Sequence, residues 1–536
     1  MGTPKSAHVD TFCADNLPPQ EAWPELIFDL PELRYPAQLN CATSLLEDAI
    51  AEGFGEKTAI IDASGRYTYV QINALANQYA HVLTRECGLV PGNRVLLRGG
   101  NSARLAAAWF AVMKAGLVAV TTMPLLRAKE LAQVASKGSI HLGLCDAMLM
   151  EEAEGIAEKL GRPFETLSFG TGGALDLLAS RQPDDFDTVH TAQNDVCLLA
   201  FTSGTTGEPK ACMHFHRDVM AMCDTFSRHI LQPARDDIFI GTPPLAFTFG
   251  LGALLAFPFH ARATTVFPLA STPGDLADAI KAEHATIVLT SPTAYRALLS
   301  SCSKEDLSSM REAVSAGEHL PKKTFEDWES ATGIKMINGI GATEMIHIFI
   351  ASRGEDIRPG STGKPVPGFS AALLNDDGEI IVGAGEGRLA IKGPIGCRYL
   401  NDDRQAKYVE GGWNVTGDRF ARDEDGYYWY QARSDSMIVS SGYNIAAPEV
   451  EQALLTHPQI AQCAVIGAPD EARGQVVKAF VVPKKEPVDE AALVRHIQNH
   501  VKASIAPYKY PRQITFLKDL PKTPTGKVSL SALKAL

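Results

Sequence analysis

With 536 residues, 45% of them hydrophobic and 21% charged, the chain has the composition of an ordinary globular protein and is too long for a single hydrophobic core. Its formal net charge of −12 argues against a nucleic-acid or anionic-membrane surface, since both call for basic patches, so an anionic ligand must be held by local donors. Ten scattered cysteines without a Cys-x-x-Cys pair predict free thiols in a reducing, cytoplasmic setting, with neither zinc nor structural disulfides.

The N-terminus, Met1 to Asn16, is polar and has no apolar signal core. Met1-Gly2-Thr3-Pro4-Lys5-Ser6 fits the permissive myristoylation pattern, which nothing else in the chain supports. Helical patterns at Ser44 to Glu52, Val70 to Thr84 and Ala103 to Gly116 alternate with β-rich runs at Thr58 to Asp62, Arg94 to Leu97, Leu117 to Thr121, Thr264 to Phe267 and Thr286 to Thr290. That alternation predicts an α/β fold of layers with largely parallel sheets. The longest apolar stretch, Leu105 to Val120, is broken by Lys114 and Gly116 and reads as a core helix leading into a strand, not a membrane span.

The apolar run Val196 to Phe201 reads as a buried strand, and it leads into Thr202-Ser203-Gly204-Thr205-Thr206-Gly207-Glu208-Pro209-Lys210. Such a loop can turn backbone N–H and hydroxyl donors onto phosphate oxygens, with the lysine adding a charge. A polar surface turn has the same composition, and the glycine spacing excludes a Walker A loop. His214 and His216 hint only weakly at metal ligands, because no third ligand lies at suitable spacing. Phe247, within Pro244-Leu245-Ala246-Phe247-Thr248-Phe249-Gly250, is either an aromatic wall or plain core.

Ile334 to Ile337 reads as a strand ahead of Ile340-Gly341-Ala342-Thr343-Glu344, whose acid is suited to Mg²⁺ beside a phosphate loop, although a surface role is the usual fate of a glutamate. From about 360 the texture changes to short strands at Gly360 to Leu374, Glu379 to Val382, Gly387 to Lys392 and Asp425 to Tyr430, a β-rich subdomain of about 360–432. Gly383 to Gly387 reads as a hairpin turn and not a dinucleotide loop. Trp413-Asn414-Val415-Thr416-Gly417-Asp418 places an acid just after a tight turn, positioned for ribose hydroxyls or simply stabilising the turn. Past Ala432, Pro448 to Thr456 and Glu490 to Val501 look helical, and Ile460 to Gly467 and Val476 to Pro483 strand-like, a compact α+β module. The chain thus divides into a large domain over 1–432, a hinge at 433–435 and a small domain over 436–536. Its last segment, Pro521-Lys522-Thr523-Pro524-Thr525-Gly526-Lys527, carries a lysine on a Gly-containing loop.

Five segments in this order, from 202 to 527, resemble the motifs of the adenylate-forming superfamily of acyl-CoA synthetases, adenylation domains and luciferases. The resemblance implies a large domain of layered α/β subdomains with a β-rich subdomain, and a small, mobile C-terminal domain. It implies that Thr202, Ser203, Gly204, Thr205, Thr206, Gly207 and Lys210 hold the ATP phosphates, with Thr205 taking part in catalysis. Gly317, Glu318, Gly339, Ile340, Gly341, Ala342 and Thr343 would surround the nucleotide. Glu344 would hold the Mg²⁺ of MgATP, Asp418 the ribose, Arg433 the ribose or phosphate, and Lys527 the α-phosphate and substrate carboxylate. Asp435 would be the hinge, with Ser440, Ser441 and Gly442 facing the pantetheine arm of coenzyme A.

The run Gly339 to Phe349 resembles benzoate- and 2-aminobenzoate-CoA ligases in detail, including Ile340 where much of the superfamily has an adenine-stacking tyrosine. The segment Leu17 to Asn40, with Trp23-Pro24 and Tyr35-Pro36, resembles the 2-aminobenzoate branch. Phe247, Gly250, Gly341 and His347 would then line the acyl pocket, a buried structural role being the other reading of His347. The implied activity is ATP-dependent, AMP-forming ligation of an aromatic acid to coenzyme A, with ATP, Mg²⁺ and coenzyme A as the required small molecules and neither nucleic acid nor membrane as a partner. A homodimer is left open. The alternatives are a free-standing enzyme loading an aryl acid onto a carrier protein, a medium-chain acyl-CoA synthetase, and a non-catalytic nucleotide-binding protein.

Overall fold

The computed structural model describes residues 5–202, 209–268, 273–433, 437–440, 443–470, 473–486, 489–505, 507–523 and 527–536. The strands Arg94–Arg98, Val118–Thr122 and Leu142–Asp146 are buried along almost their whole length, and apolar runs of that kind need cover on both faces. They form the middle of a six-stranded sheet ordered Glu165–Phe169, Leu142–Asp146, Arg94–Arg98, Val118–Thr122, Val196–Thr202, Lys210–Phe215. Its strands run parallel except the last pair, which is antiparallel with Thr202 opposite Lys210.

A second sheet has nine strands, ordered Lys364–Pro365, Ile348–Ala351, Ile337–Gly341, Glu312–Ser315, Ile287–Thr290, Ile238–Gly241, Thr264–Val266, Thr58–Asp62, Gly65–Thr68. It is parallel from Ile337–Gly341 to Thr58–Asp62 and antiparallel at both edges. The expected strand at Ile334 to Ile337 therefore starts later and continues through Gly339-Ile340-Gly341, because the strand Ile348–Ala351 folds back and pairs with those glycines.

The helix Ala103–Lys114 packs against strands of both sheets, capped by the Ser102 hydroxyl, which accepts from the Leu105 N–H at 3.2 Å. Every residue of it but Arg104 is buried, including Lys114, whose Nζ donates to Asn73 Oδ1 at 2.8 Å and to Glu47. Breaking a buried ion pair on one side leaves an uncompensated charge. Glu47→Ala is expected to destabilise the large domain by about 3 kcal/mol, read as a lower urea midpoint of unfolding.

The β-rich subdomain is an antiparallel sheet of Ser370–Leu374, Gly385–Lys392, Trp413–Arg422, Val409–Glu410 and Tyr428–Arg433. Four expectations shift here. Lys364–Pro365 joins the nine-stranded sheet, and Glu379 to Val382 contributes only a single bridge from Ile380 to Leu374. The hairpin turn before the second strand is shorter than Gly383 to Gly387, since pairing starts at Gly385. The last strand starts at Tyr428 because Asp423 closes a turn, accepting from the Tyr427 N–H at 2.8 Å.

The C-terminal module pairs Tyr443–Ala446, Met437–Ser440, Gly474–Pro483 and Ile460–Asp470 in one sheet, with Gln513–Phe516 added in parallel. The helices Ala447–Leu455 and Glu490–Ser504 cover it, and Ile438, Val450, Leu454, Val477, Leu493 and Ile497 belong to a buried cluster of its own. Among the described residues no helix is long and apolar enough to cross a membrane.

Candidate active site

Both ends of the glycine-rich loop are anchored in the six-stranded sheet, Thr202 closing one strand and Lys210 opening the next. Ser203, Gly204, Thr205, Thr206 and Gly207 lie outside the described residues, as do Asp435, Ser441 and Gly442. The Thr202 hydroxyl is buried without a partner, a polar atom left available to a ligand.

Lys210 Nζ donates to the Tyr399 hydroxyl oxygen at 2.8 Å and lies 3.5 Å from Glu344 Oε1. The Tyr399 hydroxyl in turn donates to Glu344, while Lys210 also sits over the Tyr399 ring at 4.8 Å. Burial and the Glu344 carboxylate push the Tyr399 hydroxyl far above its ordinary pKa, so it stays a donor. The fold thus joins residues 210, 344 and 399, from three distant segments, in one charged cluster. Sequence reasoning missed Tyr399, because nothing in Gly396-Cys397-Arg398-Tyr399 marks its tyrosine as different from a core aromatic. Tyr399→Phe removes one acceptor and one donor together. It is expected to raise the KM for ATP about tenfold with a smaller effect on kcat, measured by steady-state kinetics.

Glu344 sits in the helical turn Thr343–Met345, just past the strand Ile337–Gly341. His214 holds that turn, its Nε2–H donating to the Thr343 carbonyl at 2.8 Å. The His214 ring is fully buried beside Asp218, which also pairs with Arg398. Two residues after Glu344, Ile346 has φ = 59°, a conformation that strains a β-branched residue by about 1–3 kcal/mol. This reversal lets Ile348 return opposite Gly341, where a Cβ on Gly341 would stand 2.6 Å from the His347 carbonyl oxygen.

The His347 ring is 4% exposed and enclosed by Phe226, Phe249 and Phe257, with centroids at 5.4, 5.6 and 4.5 Å. Burial lowers its pKa to about 3 against a smaller opposing effect of the Phe249 backbone, so the imidazole is neutral. Gly252 makes room for it: a Cβ there would lie 2.4 Å from the ring. Phe247, half-buried, precedes the helix Thr248–Leu251, and Gly250 packs so tightly that a Cβ would meet the Pro244 carbonyl oxygen at 2.0 Å.

Asp418 lies inside the strand Trp413–Arg422 and not after a turn, directly opposite Arg433 in register. Gly417, at φ = 79°, accommodates the irregularity within that strand. Gly317, at φ = 85°, follows the strand Glu312–Ser315, and Glu318 Oε2 accepts from the Thr293 hydroxyl at 2.8 Å. Ser440 is buried and Lys527 exposed in the C-terminal module, so both are carried separately from the Lys210, Tyr399 and Glu344 cluster.

A cluster of one lysine, one carboxylate and a tyrosine hydroxyl beside an unpaired threonine hydroxyl has the donor set for a polyphosphate with a hard cation. Glu344 would supply the oxygen ligand such a cation takes, and phosphate oxygens would complete it.

Comparison with known proteins agrees with this geometry. Residues 47–398 match the model of the AMP-binding enzyme family, and residues 449–527 that of the AMP-binding enzyme C-terminal domain. The benzoate–CoA ligase of Thauera aromatica is 33% identical over 516 residues, spanning 94% of this chain and 97% of that protein. The 3-hydroxybenzoate–CoA ligase of Aromatoleum sp. (strain CIB) is 30% identical over 93% of this chain and 97% of its own length. Among solved structures, the anthranilate CoA ligase AuaEII in complex with anthranoyl-AMP aligns with a TM-score of 0.89 at 32% identity, covering 94% of this chain and 98% of that one.

Proposed function

The chain belongs to the family of AMP-binding enzymes, and we propose that it joins an aromatic carboxylic acid of the benzoate or 2-aminobenzoate type to coenzyme A, converting ATP to AMP and pyrophosphate. The observation that carries this reading is the Lys210, Tyr399 and Glu344 cluster at the mouth of the glycine-rich loop, next to an aromatic cage around a neutral His347.

In the first step a carboxylate oxygen of the acid attacks the α-phosphorus of ATP, the bond to the bridging oxygen breaks, and pyrophosphate leaves. Lys210 holds the departing phosphates, and Lys527 on the C-terminal module lies against the α-phosphate as negative charge develops. Mg²⁺ held by Glu344 would neutralise charge on the phosphate oxygens. Asp418 accepts from the ribose hydroxyls. In the second step the thiol of coenzyme A attacks the acyl carbonyl, its proton passes to solvent, and AMP departs. Rotation of the C-terminal module at 433–435 exchanges Lys527 for the face around Ser440. A cytoplasmic setting suits ten free thiols.

In this reading the acid's ring packs near the cage, and His347 would offer one polar contact to a ring substituent. His347→Phe keeps the packing and removes that contact, and is expected to lower kcat/KM for 2-aminobenzoate about tenfold relative to benzoate, measured in competition. The same variant has a stability signature. His347 binds its proton only near pH 3 when folded but near 6.5 when unfolded, so it favours the native state above that range and this contribution is lost as pH falls below 6.5. The decline in urea midpoint between pH 6.5 and 4 is therefore expected to be shallower in His347→Phe.

A pyrophosphate-release screen over aromatic and medium-chain acids, with coenzyme A or a holo-carrier protein as acceptor, tests the whole reading. Thioester formation on coenzyme A with an aryl acid is the expected result. Acylation of the carrier alone, or turnover of medium-chain acids alone, would overturn it.

A further inference from the structure

Cys41, Cys197 and His216 are far apart in sequence, yet the fold brings one ligand atom from each to within 4.8 Å of the others. Cys41 begins the helical stretch over residues 41–54, Cys197 is the second residue of the strand Val196–Thr202, and His216 opens the helix His216–Met222. The antiparallel pairing of Val196 with Phe215 places the last two side by side at the base of the hairpin that carries the glycine-rich loop. All three residues are 0% exposed. His216 Nδ1 accepts from the Cys41 N–H at 3.2 Å and lies 3.2 Å from the Cys41 sulfur, while Nε2 has no partner.

Buried cysteines ordinarily act as small apolar side chains, and two thiols scattered in a core need no other account. Here two sulfurs and an imidazole nitrogen converge instead within 4.8 Å of one another, close enough for small side-chain movements to bring them around one ion. We propose that these three residues form a site for a thiophilic closed-shell cation of the monovalent copper type. Thiolate and imidazole are the donors such ions select. Zinc ordinarily takes four ligands, and among the described residues this enclosed group offers three.

Binding replaces the two thiol protons, which pass to solvent, with two metal–sulfur bonds and uses one imidazole lone pair; no electron is transferred. The cation would staple the segment starting at Cys41 to both strands that frame the glycine-rich loop. Cys197 lies five residues before Thr202, and His216 six residues after Lys210.

The test uses the full chain, reduced and handled without oxygen, titrated with copper(I) held by bicinchoninate and, in a parallel arm, with zinc. The expected result is one equivalent of copper withdrawn from the competitor by the wild type and by Cys302→Ala, a control thiol elsewhere, and lost in Cys197→Ala and Cys41→Ala. Retention of that equivalent in both cluster variants, or no uptake by the wild type, would overturn the site; uptake of zinc but not copper would overturn the three-ligand assignment. X-ray absorption of the loaded wild type decides the matter even if the variants fold poorly. Two sulfur scatterers and one nitrogen support the site, and any other shell refutes it.

Discussion

Lys527→Ala is expected to lower ATP–pyrophosphate exchange by about 10²- to 10³-fold, the loss typical of removing one donor aimed at developing charge. Transfer of the acyl group from chemically prepared acyl-adenylate to coenzyme A should stay within about threefold of wild type, because that step needs the opposite placement of the C-terminal module. The physical ground is that Lys527 is exposed on a module with its own buried cluster, away from the sheets that hold Lys210 and Glu344. Its side chain is exposed and belongs to neither buried cluster, so both domains are expected to stay folded without it. Equal losses in the two half-reactions would show that Lys527 acts on neither step selectively and would defeat the assignment.

Glu344→Gln is the second large effect. It retains an oxygen that can accept from the Tyr399 hydroxyl and nearly the same volume, but abolishes the charge beside Lys210. The melting temperature should therefore shift by only a few degrees, while the adenylation rate falls about 10²-fold or more. Because the missing charge is the one that would hold Mg²⁺, raising the Mg²⁺ concentration should recover part of the rate in this variant and little in Tyr399→Phe. A rate insensitive to the substitution would remove Glu344 from the metal-holding role.

Much of the architecture is legible in the chain because burial on both faces leaves an unbroken apolar run. Thr58 to Asp62 and Val196 to Phe201 coincide with observed strands for that reason, and the Leu105 to Val120 stretch is the buried helix between the sheets followed by a strand. The misreadings cluster where glycine has two meanings. Gly417 suggests a turn in the sequence but sits at positive φ within a ten-residue strand, and Gly339 and Gly341 lie beyond the expected strand yet pair within the nine-stranded sheet. Local sequence cannot separate these cases, since both exploit the missing Cβ.

Of the active-site cluster, Lys210 and Glu344 stand out as charged residues next to glycines, whereas Tyr399 and His214 do not. Their roles arise from contacts across 189 and 129 residues of chain, which no periodicity reports. The convergence of Cys41, Cys197 and His216 is hidden in the same way.

The register that sets Asp418 against Arg433 has a mechanical corollary. The strand Tyr428–Arg433 ends at the proposed hinge, which puts Asp418, the proposed ribose residue, on the strand paired with it. A nucleotide gripped at Asp418 and a torque applied at residue 433 therefore act on two adjacent, hydrogen-bonded strands. By reciprocity, whatever factor the bound adenylate contributes to one orientation of the module, that orientation returns to adenylate affinity. In the proposed cycle, an orientation that admits the thiol and that bound adenylate disfavours would weaken the hold on AMP by the same factor.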